Sequence, residues 1–168
     1  FGLSVDLVKR IPAAAGLGGA SSDAAAALVG ANRLNGNLLS LEELIFMAAQ
    51  VGSDVPFFLY QSPARCQGRG EKVTPVSSPQ PLPVVLVKPT AGLSTPSVFG
   101  RVAEFGFEDR QSIDDMLQVF TSGDLSGVGR ALHNRLLEPA LAVLPELQGV
   151  VHLLQDFDVA GFQMTGSG

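Results

Sequence analysis

The chain has 168 residues, of which 46% are hydrophobic, and its formal net charge is −5 at pH 7. This length suits one domain or two small ones with a buried core, and the single cysteine, Cys66, allows no internal disulfide and suits a reducing compartment. The acidic balance, without a basic cluster beyond Lys9-Arg10, argues against nucleic acid as a partner, and no uninterrupted apolar run is long enough to span a bilayer.

The first part of the chain is predicted to alternate between strands and helices. In chain order the elements are a strand over 2–11, a helix over 21–34, a helix from 41 to about 51, a short strand over 57–60, and two short strands with a tight reversal within 64–73. Ser40-Leu41-Glu42-Glu43 has the pattern of a capping box, which sets the start of the second helix.

The clearest break in composition is Ser77-Ser78-Pro79-Gln80-Pro81-Leu82-Pro83, where we place a boundary between two lobes. After it come a strand over 84–87, a helix that opens at Ser94-Thr95-Pro96, helices over about 112–120, 124–137 and 140–155, and a final strand near 161–165. The chain opens within a strand pattern and ends within a glycine turn, so we expect an internal fragment of a longer protein.

The strongest functional signal is a glycine loop followed by a helix. Its residues are Pro12, Ala13, Ala14, Ala15, Gly16, Leu17, Gly18, Gly19, Ala20, Ser21 and Ser22. Glycine permits close approach of a ligand to the main chain, and the N–H groups at the start of a helix attract anions. The loop lacks the Gly-Lys-Ser/Thr of a Walker A motif and the spacing of a dinucleotide fingerprint. It indicates a phosphate site; the alternative is a tight strand-to-helix turn whose glycines only save space.

Asp54 has two interpretations on spacing alone. After Gly52-Ser53 it is typical of an Asx turn, and spacing by itself favours that structural role. The functional alternative is a base that orients a hydroxyl nucleophile in phosphoryl transfer.

Lys9-Arg10 is predicted to be a solvated strand end, with a nucleotide phosphate as the alternative partner. His133 and His152 have no metal-ligand spacing and are predicted to be solvated or capping residues.

Five features, in order along the chain, resemble the GHMP kinase superfamily, named for galacto-, homoserine, mevalonate and phosphomevalonate kinases. They are Ile11-Pro12 to Ala26, Gly52 to Leu59, Gly68-Arg69-Gly70-Glu71, Lys88-Pro89 with Ser94-Thr95 and Asn134 to Glu138, and Met164 to Gly168. Within the superfamily, the closer resemblance is to the kinases that act on 4-diphosphocytidyl-2-C-methyl-D-erythritol in non-mevalonate isoprenoid biosynthesis.

The resemblance implies an α+β class and a two-lobed GHMP kinase fold. Residues 1–80 would be the remainder of a ribosomal-S5-like, ATP-binding N-terminal lobe, and residues 81–168 a truncated α+β C-terminal lobe. The implied reaction moves the γ-phosphoryl group of ATP, with Mg²⁺, to the 2-hydroxyl of that small-molecule substrate. Nucleic acid and membrane would not be partners, and the location would be the cytoplasm of a bacterium or a plastid.

The resemblance also implies roles for single residues. Pro12 to Ser22 would wrap the ATP phosphates, Gly166 and Ser167 would close over them, and Asp54 would be the catalytic aspartate. Neither Lys9 nor Arg10 matches the family's catalytic lysine, which lies upstream of the loop, so we expect no turnover from residues 1–168 alone. The alternatives left open are another GHMP small-molecule kinase and a non-catalytic nucleotide- or phosphate-binding module.

Overall fold

The computed structural model describes residues 2–106 and 112–168 and divides the chain into two compact units. The first unit comprises Phe1–Ala13 and Gly18–Ser77, and the second comprises Ala14–Leu17 and Ser78–Gly168. The elements are α1 (Gly19–Leu34), α2 (Leu41–Val51), α3 (Val55–Tyr60), β1 (Ala64–Gln67), β2 (Lys72–Pro75), α4 (Thr95–Arg101), α5 (Ile113–Ser122), α6 (Leu125–Ala131), α7 (Leu137–Val143) and α8 (Leu147–Gln155). The assignment of residues 1–80 and 81–168 to the two lobes of the family stays a prediction.

The core of the first unit lies where α1, α2 and α3 meet. Its buried side chains are Ala25, Leu44, Ala48, Val55 and Leu59. The pairs on α2 and α3 are each spaced four residues apart, which places them on one face of their helix. The predicted capping box is confirmed: the Ser40 hydroxyl oxygen accepts from the Glu43 N–H at 3.3 Å, and Glu43 Oε2 accepts from the Ser40 N–H at 2.8 Å.

A β-hairpin completes the first unit and confirms the predicted reversal within 64–73. β1 and β2 pair antiparallel, with Ala64 opposite Pro75 and Gln67 opposite Lys72. The turn between them is held by the Glu71 carboxylate, which accepts from the Arg69 N–H at 2.7 Å.

The core of the second unit is smaller and lies between α4 and α7. Leu93, Val98 and Ala140 are its buried residues, with Leu136 and Met164 among the half-buried side chains packed against them. The helix predicted to open at Ser94-Thr95-Pro96 is confirmed as α4.

Four predicted strands are wrong. Residues 2–11, 84–87 and 161–165 carry no strand among the residues that the structure describes. Apolar alternation makes a strand only where a neighbouring strand satisfies its N–H and C=O groups, and here Val8 and Val85 are 78% and 89% exposed. The fourth, residues 57–60, lies within α3, because a proline in the first turn, Pro56, favours a helix start and Val55, Pro56 and Leu59 face the core at helical spacing.

Two predicted helices have the wrong extent. The helix expected over 140–155 is two helices, α7 and α8, since Pro145 lacks an N–H and forces Leu144 out of the α region (φ −135°, ψ 84°). The helix expected over 124–137 ends at Ala131, where the backbone turns extended at Leu132 (φ −61°, ψ 128°).

Candidate functional site

The N-terminus of α1 is an uncapped end of a 16-residue helix. Gly18 is the N-cap residue in the left-handed conformation (φ 63°, ψ 21°), no side chain caps the helix, and its first turn has no acidic residue. The first helical hydrogen bond runs from the Ser22 N–H to the Gly18 oxygen at 2.9 Å, so the N–H groups before it have no partner within the helix. With the positive end of the helix dipole, they suit an anion.

The helix that leaves the loop begins earlier than predicted. It was expected over 21–34 but begins at Gly19, and the Ser22 hydroxyl donates to the Gly19 oxygen at 2.9 Å. Gly18 takes the cap position because it tolerates positive φ and because a Cβ there would lie 2.6 Å from Phe58 Cζ. The helix end therefore keeps its N–H groups for a ligand.

The same short helix that supports Gly18 also carries Asp54. Asp54 is the N-cap residue of α3, four residues before Phe58, which is roughly 6 Å along a helix axis. Its side chain makes no capping hydrogen bond, so the Asx-turn interpretation lacks the bond that defines it. The exposed carboxylate stays available to a ligand.

The hairpin lies against Asp54 on one side. A Cβ at Gly70 would lie 3.3 Å from Asp54 Oδ1, so the absence of a side chain there leaves room at the carboxylate. Burial, and secondly the charge of Asp54, raise the pKa of the Cys66 thiol on β1. Asp54 is thus placed by α3 and bordered by the β1–β2 turn.

Lys9 lies beside the first turn of α1. Its ammonium forms a hydrogen-bonded ion pair with the Asp23 carboxylate and lies 3.6 Å from the Cβ position of Gly19. The sequence left the role of this lysine open. The spacing of Gly19 and Asp23 could have indicated its position. Residues four apart share a helix face, so a lysine that pairs with Asp23 lies near Gly19.

The remaining loop residues fall in both units. Pro12, Ala13 and Ala20 are exposed parts of the first unit, whereas Ala14–Leu17 belong to the second. Ala14 has a positive φ of 50°, and Ala15, Gly16 and Leu17 are half-buried.

Within the second unit, the two glycine motifs are in contact. Gly16 has φ +63°, and a Cβ there would overlap the carbonyl group of Thr165. The Thr165 hydroxyl donates to the Gly16 oxygen at 2.9 Å, and the Cβ position of Gly166 lies 3.2 Å from Gly16 Cα. The Ser167 hydroxyl is 2.7 Å from Thr95 Oγ1 at the start of α4.

Asn134 holds the turn at Met164–Gly168 in place. The sequence indicated Asn134 only as part of a motif. Its Nδ2 donates to the Met164 oxygen at 2.7 Å and to the Gly166 oxygen at 2.8 Å, while its Oδ1 accepts from the Leu136 N–H at 2.9 Å. The extended backbone at Leu132 ends α6 before Asn134, so its side chain is not part of a regular helix face.

Over residues 2–106 and 112–168, no group of three or more histidine, cysteine, aspartate or glutamate side chains is arranged to hold a metal ion. The His152 ring nitrogen is 3.0 Å from Gln148 Nε2, one turn earlier on α8. In the same described ranges, no helix is both long and apolar enough to cross a membrane.

Comparison with known proteins gives a consistent set of relatives. Residues 1–62 match the GHMP kinases N terminal domain. The chain is 40% identical over 167 residues to a 4-diphosphocytidyl-2-C-methyl-D-erythritol kinase of Geobacillus thermodenitrificans, a match that covers 99% of the chain and 57% of the relative. It is 39% identical to the kinase of that name from Shouchella clausii, covering 99% of the chain and 56% of the relative.

A solved structure shows the same relationship at the level of fold. The crystal structure of a 4-(cytidine 5'-diphospho)-2C-methyl-D-erythritol kinase matches with a TM-score of 0.76 and 34% identity, over 95% of this chain and 57% of that one. The predicted α+β GHMP kinase fold is confirmed, and the chain spans somewhat more than half the length of these relatives. Residues 1–62 are therefore similar to a GHMP kinase N-terminal domain, and nearly the whole chain is similar in sequence and fold to the kinases named here.

Proposed function

We propose that the whole protein transfers the γ-phosphoryl group of ATP to the 2-hydroxyl of 4-diphosphocytidyl-2-C-methyl-D-erythritol, a step of non-mevalonate isoprenoid biosynthesis. One observation carries the proposal: the 167 residues aligned with the kinases of that name include both the uncapped helix end at Gly18 and the uncommitted carboxylate of Asp54. Positioned donors and a carboxylate near the nucleophile are what phosphoryl transfer requires of a protein.

The N–H groups at the start of α1 are the proposed binding site of the ATP phosphates. GHMP kinases are ATP-dependent, and the first turn of α1 offers donors with no competing cap or acid. Lys9 adds a positive charge beside Gly19. In the second unit, the turn at Gly166 and Ser167 is the proposed second contact with the nucleotide, together with Ala14–Leu17.

Asp54 is the proposed catalytic aspartate. A carboxylate that accepts or orients the proton of the acceptor hydroxyl must have an oxygen that no structural hydrogen bond occupies. Asp54 meets that condition, since its side chain makes no capping hydrogen bond, and Gly70 leaves space at its Oδ1. A positioned general base of this kind typically contributes about 10²–10⁴-fold to the rate.

Mg²⁺ is part of the proposal as a partner of the nucleotide. Magnesium is usually held by one or two carboxylates together with substrate phosphates, so a dedicated protein cage is not needed. Asp54, whose side chain makes no capping hydrogen bond, is the carboxylate that would hold the ion, whereas Asp23 is paired with Lys9. When bound, the ion would neutralise charge on the phosphates.

The proposed partners are otherwise limited to the small-molecule acceptor, with no role for nucleic acid or membrane. The net charge of −5, with no basic cluster in the sequence beyond Lys9-Arg10, supports the exclusion of nucleic acid, since its binding usually depends on a basic patch. The named relatives come from bacteria, which supports a bacterial cytoplasm as the location within this proposal.

A coupled assay of ADP release tests the function directly. The whole protein is given ATP and Mg²⁺ with 4-diphosphocytidyl-2-C-methyl-D-erythritol, homoserine, mevalonate or galactose in parallel. We expect the diphosphocytidyl substrate to give the highest kcat/KM. Faster turnover of another acceptor would refute the substrate and leave a different GHMP kinase, and ATP binding without turnover of any acceptor would leave a binding module.

A further inference from the structure

The turn at Met164–Gly168 has its carbonyl groups occupied from within the second unit. Asn134 Nδ2 donates to the oxygens of Met164 and Gly166, and the Gly168 N–H donates to the Thr165 oxygen at 3.2 Å. Three consecutive carbonyl oxygens are therefore engaged by donors of the protein. Each of these bonds occupies a lone pair and holds its carbonyl oxygen against a donor of the protein.

The N–H groups of the same turn are in the opposite situation. Among the described residues, the N–H groups of Gly166 and Ser167 have no acceptor. Successive main-chain N–H groups without acceptors form an anion-binding concavity when the neighbouring carbonyls point elsewhere. The hydrogen bonds of Asn134 thus engage carbonyl oxygens of the turn and leave the N–H groups of Gly166 and Ser167 for a ligand.

Both N–H hydrogens and the oxygen of the Asn134 amide take part in these contacts. Its two N–H hydrogens serve Met164 and Gly166, and its oxygen accepts from Leu136, which fixes the orientation of the amide. Thr165, between the two anchored carbonyls, reaches Gly16 with its hydroxyl. The position of the turn against Gly16 therefore depends on both side chains.

We propose that Asn134 is a positioning residue for the nucleotide phosphates: it holds the carbonyls of Met164 and Gly166 so that the Gly166–Ser167 N–H groups can bind a phosphate. The proposal rests on the proposed function, because it assigns the second glycine turn to the same nucleotide. Asn134 acts through the turn and does not itself touch the ligand.

The test measures ATP affinity by calorimetry without acceptor, and the KM of each substrate, in the whole protein carrying Asn134→Asp. This variant keeps the shape and the accepting oxygen but sets a carboxylate oxygen against two carbonyls. Loss of two hydrogen bonds predicts weaker ATP binding on the order of tenfold or more, with a similar rise in the KM for ATP. The KM for the acceptor should change little.

Asn32→Ala is the matched control. Asn32 also makes a pair of side-chain hydrogen bonds, to the oxygen and the N–H of Leu39 at 2.9 and 3.0 Å, but at the far end of α1. Asn32→Ala should lower the Tm without weakening the binding of ATP. Unchanged ATP affinity in Asn134→Asp, or an equal loss in Asn32→Ala, would overturn the proposal.

A second pair of variants covers the case in which Asn134→Asp does not fold. Thr165→Val removes the hydroxyl that reaches Gly16 and keeps the side-chain shape, whereas Thr165→Ser keeps the hydroxyl. Weaker ATP binding in Thr165→Val but not in Thr165→Ser supports the positioned turn, and equal affinities refute it. A wild-type protein that binds ATP but phosphorylates no acceptor refutes the proposed function alone, since ATP affinity is still measurable in each variant.

Discussion

Thr165 donates its hydroxyl hydrogen to the main-chain oxygen of Gly16, a residue 149 positions earlier in the chain, at 2.9 Å. The contact is close because Gly16 has no side chain: a Cβ there would overlap the Thr165 carbonyl group. Two glycine motifs from opposite ends of the chain therefore pack main chain against main chain within the second unit.

Gly16→Ala should separate these two motifs. The new methyl group meets main-chain atoms, which cannot rotate away as a side chain can, and φ +63° adds strain of roughly 1–2 kcal/mol for an L residue. We expect a lower Tm and weaker ATP binding, measured by thermal melts and calorimetry.

Gly36→Ala is the matched control for Gly16→Ala. Gly36 also has a positive φ, +79°, but nothing lies within 4 Å of its Cβ position. It should show the strain alone, with ATP affinity unchanged. Equal effects of both substitutions on the affinity for ATP would mean that the contact of Gly16 with Thr165 has no part in ATP binding.

Asp54 and Asp124 are both N-cap residues, but only Asp124 makes a capping bond, from the Gly127 N–H to its Oδ1 at 2.9 Å. Asp54→Ala should therefore leave the Tm nearly unchanged and lower kcat by about 10²–10⁴-fold. Asp124→Ala should lower the free energy of unfolding by about 1 kcal/mol and keep kcat. A kcat within a few-fold of wild type in Asp54→Ala would return Asp54 to a structural role.

The charge of Asp54 can also be measured without turnover. Burial and the Asp54 carboxylate together raise the pKa of the Cys66 thiol, so the reactive thiolate is scarce at neutral pH. Asp54→Asn removes the second cause and should increase the rate of Cys66 alkylation by iodoacetamide a few-fold, followed by peptide mass spectrometry. Asp124→Asn, in the other unit, should leave that rate unchanged; no difference between the two variants would show that Asp54 does not act on the thiol.

The sequence predicted the local features that depend on neighbouring residues. The capping box at Ser40, the hairpin turn around Gly68–Glu71 and the helix opened by Thr95-Pro96 are all set by contacts of a few residues. The strands expected at 2–11 and 84–87 are absent from the described residues because pairing is a tertiary property that alternation does not supply.

The candidate site was predictable as a set of motifs but not as contacts. Residue types and spacing pointed to the glycine loop, and the resemblance pointed to Asp54. The partners that hold them lie far along the chain: Phe58 under Gly18, Thr165 on Gly16 and Asn134 on Gly166. The helical state of 57–60 was missed since four apolar residues in a row fit either period, although Pro56 favoured the helix.

Lys9 and Asp23 provide a test with opposite signs. If the ammonium beside Gly19 attracts the nucleotide, Lys9→Met should raise the KM for ATP several-fold, and Asp23→Asn should lower it or leave it unchanged. If the ion pair is only structural, both variants should show the same small loss of stability, since an exposed ion pair contributes about 0–1 kcal/mol. Steady-state kinetics at low and high salt separate the two results, and a rise in KM for both variants contradicts the electrostatic role.

Glu43 should make the stability of α2 depend on pH. Hydrogen bonds from the backbone and side chain of Ser40 lower the pKa of its carboxyl group in the folded state. A lowered folded-state pKa means that the stabilisation is complete above the unfolded pKa, about 4.3, and disappears as the pH falls through the lowered value.

Glu43→Gln keeps a group that can accept from the Ser40 N–H but removes the charge, so it should be less stable than wild type in urea at pH 7 and equal to it at pH 2. Glu42→Gln, in the same helical turn, controls for the attraction of an acid to the helix end. A wild-type advantage over Glu43→Gln that persists unchanged at pH 2 would show that the carboxylate charge does not stabilise the cap.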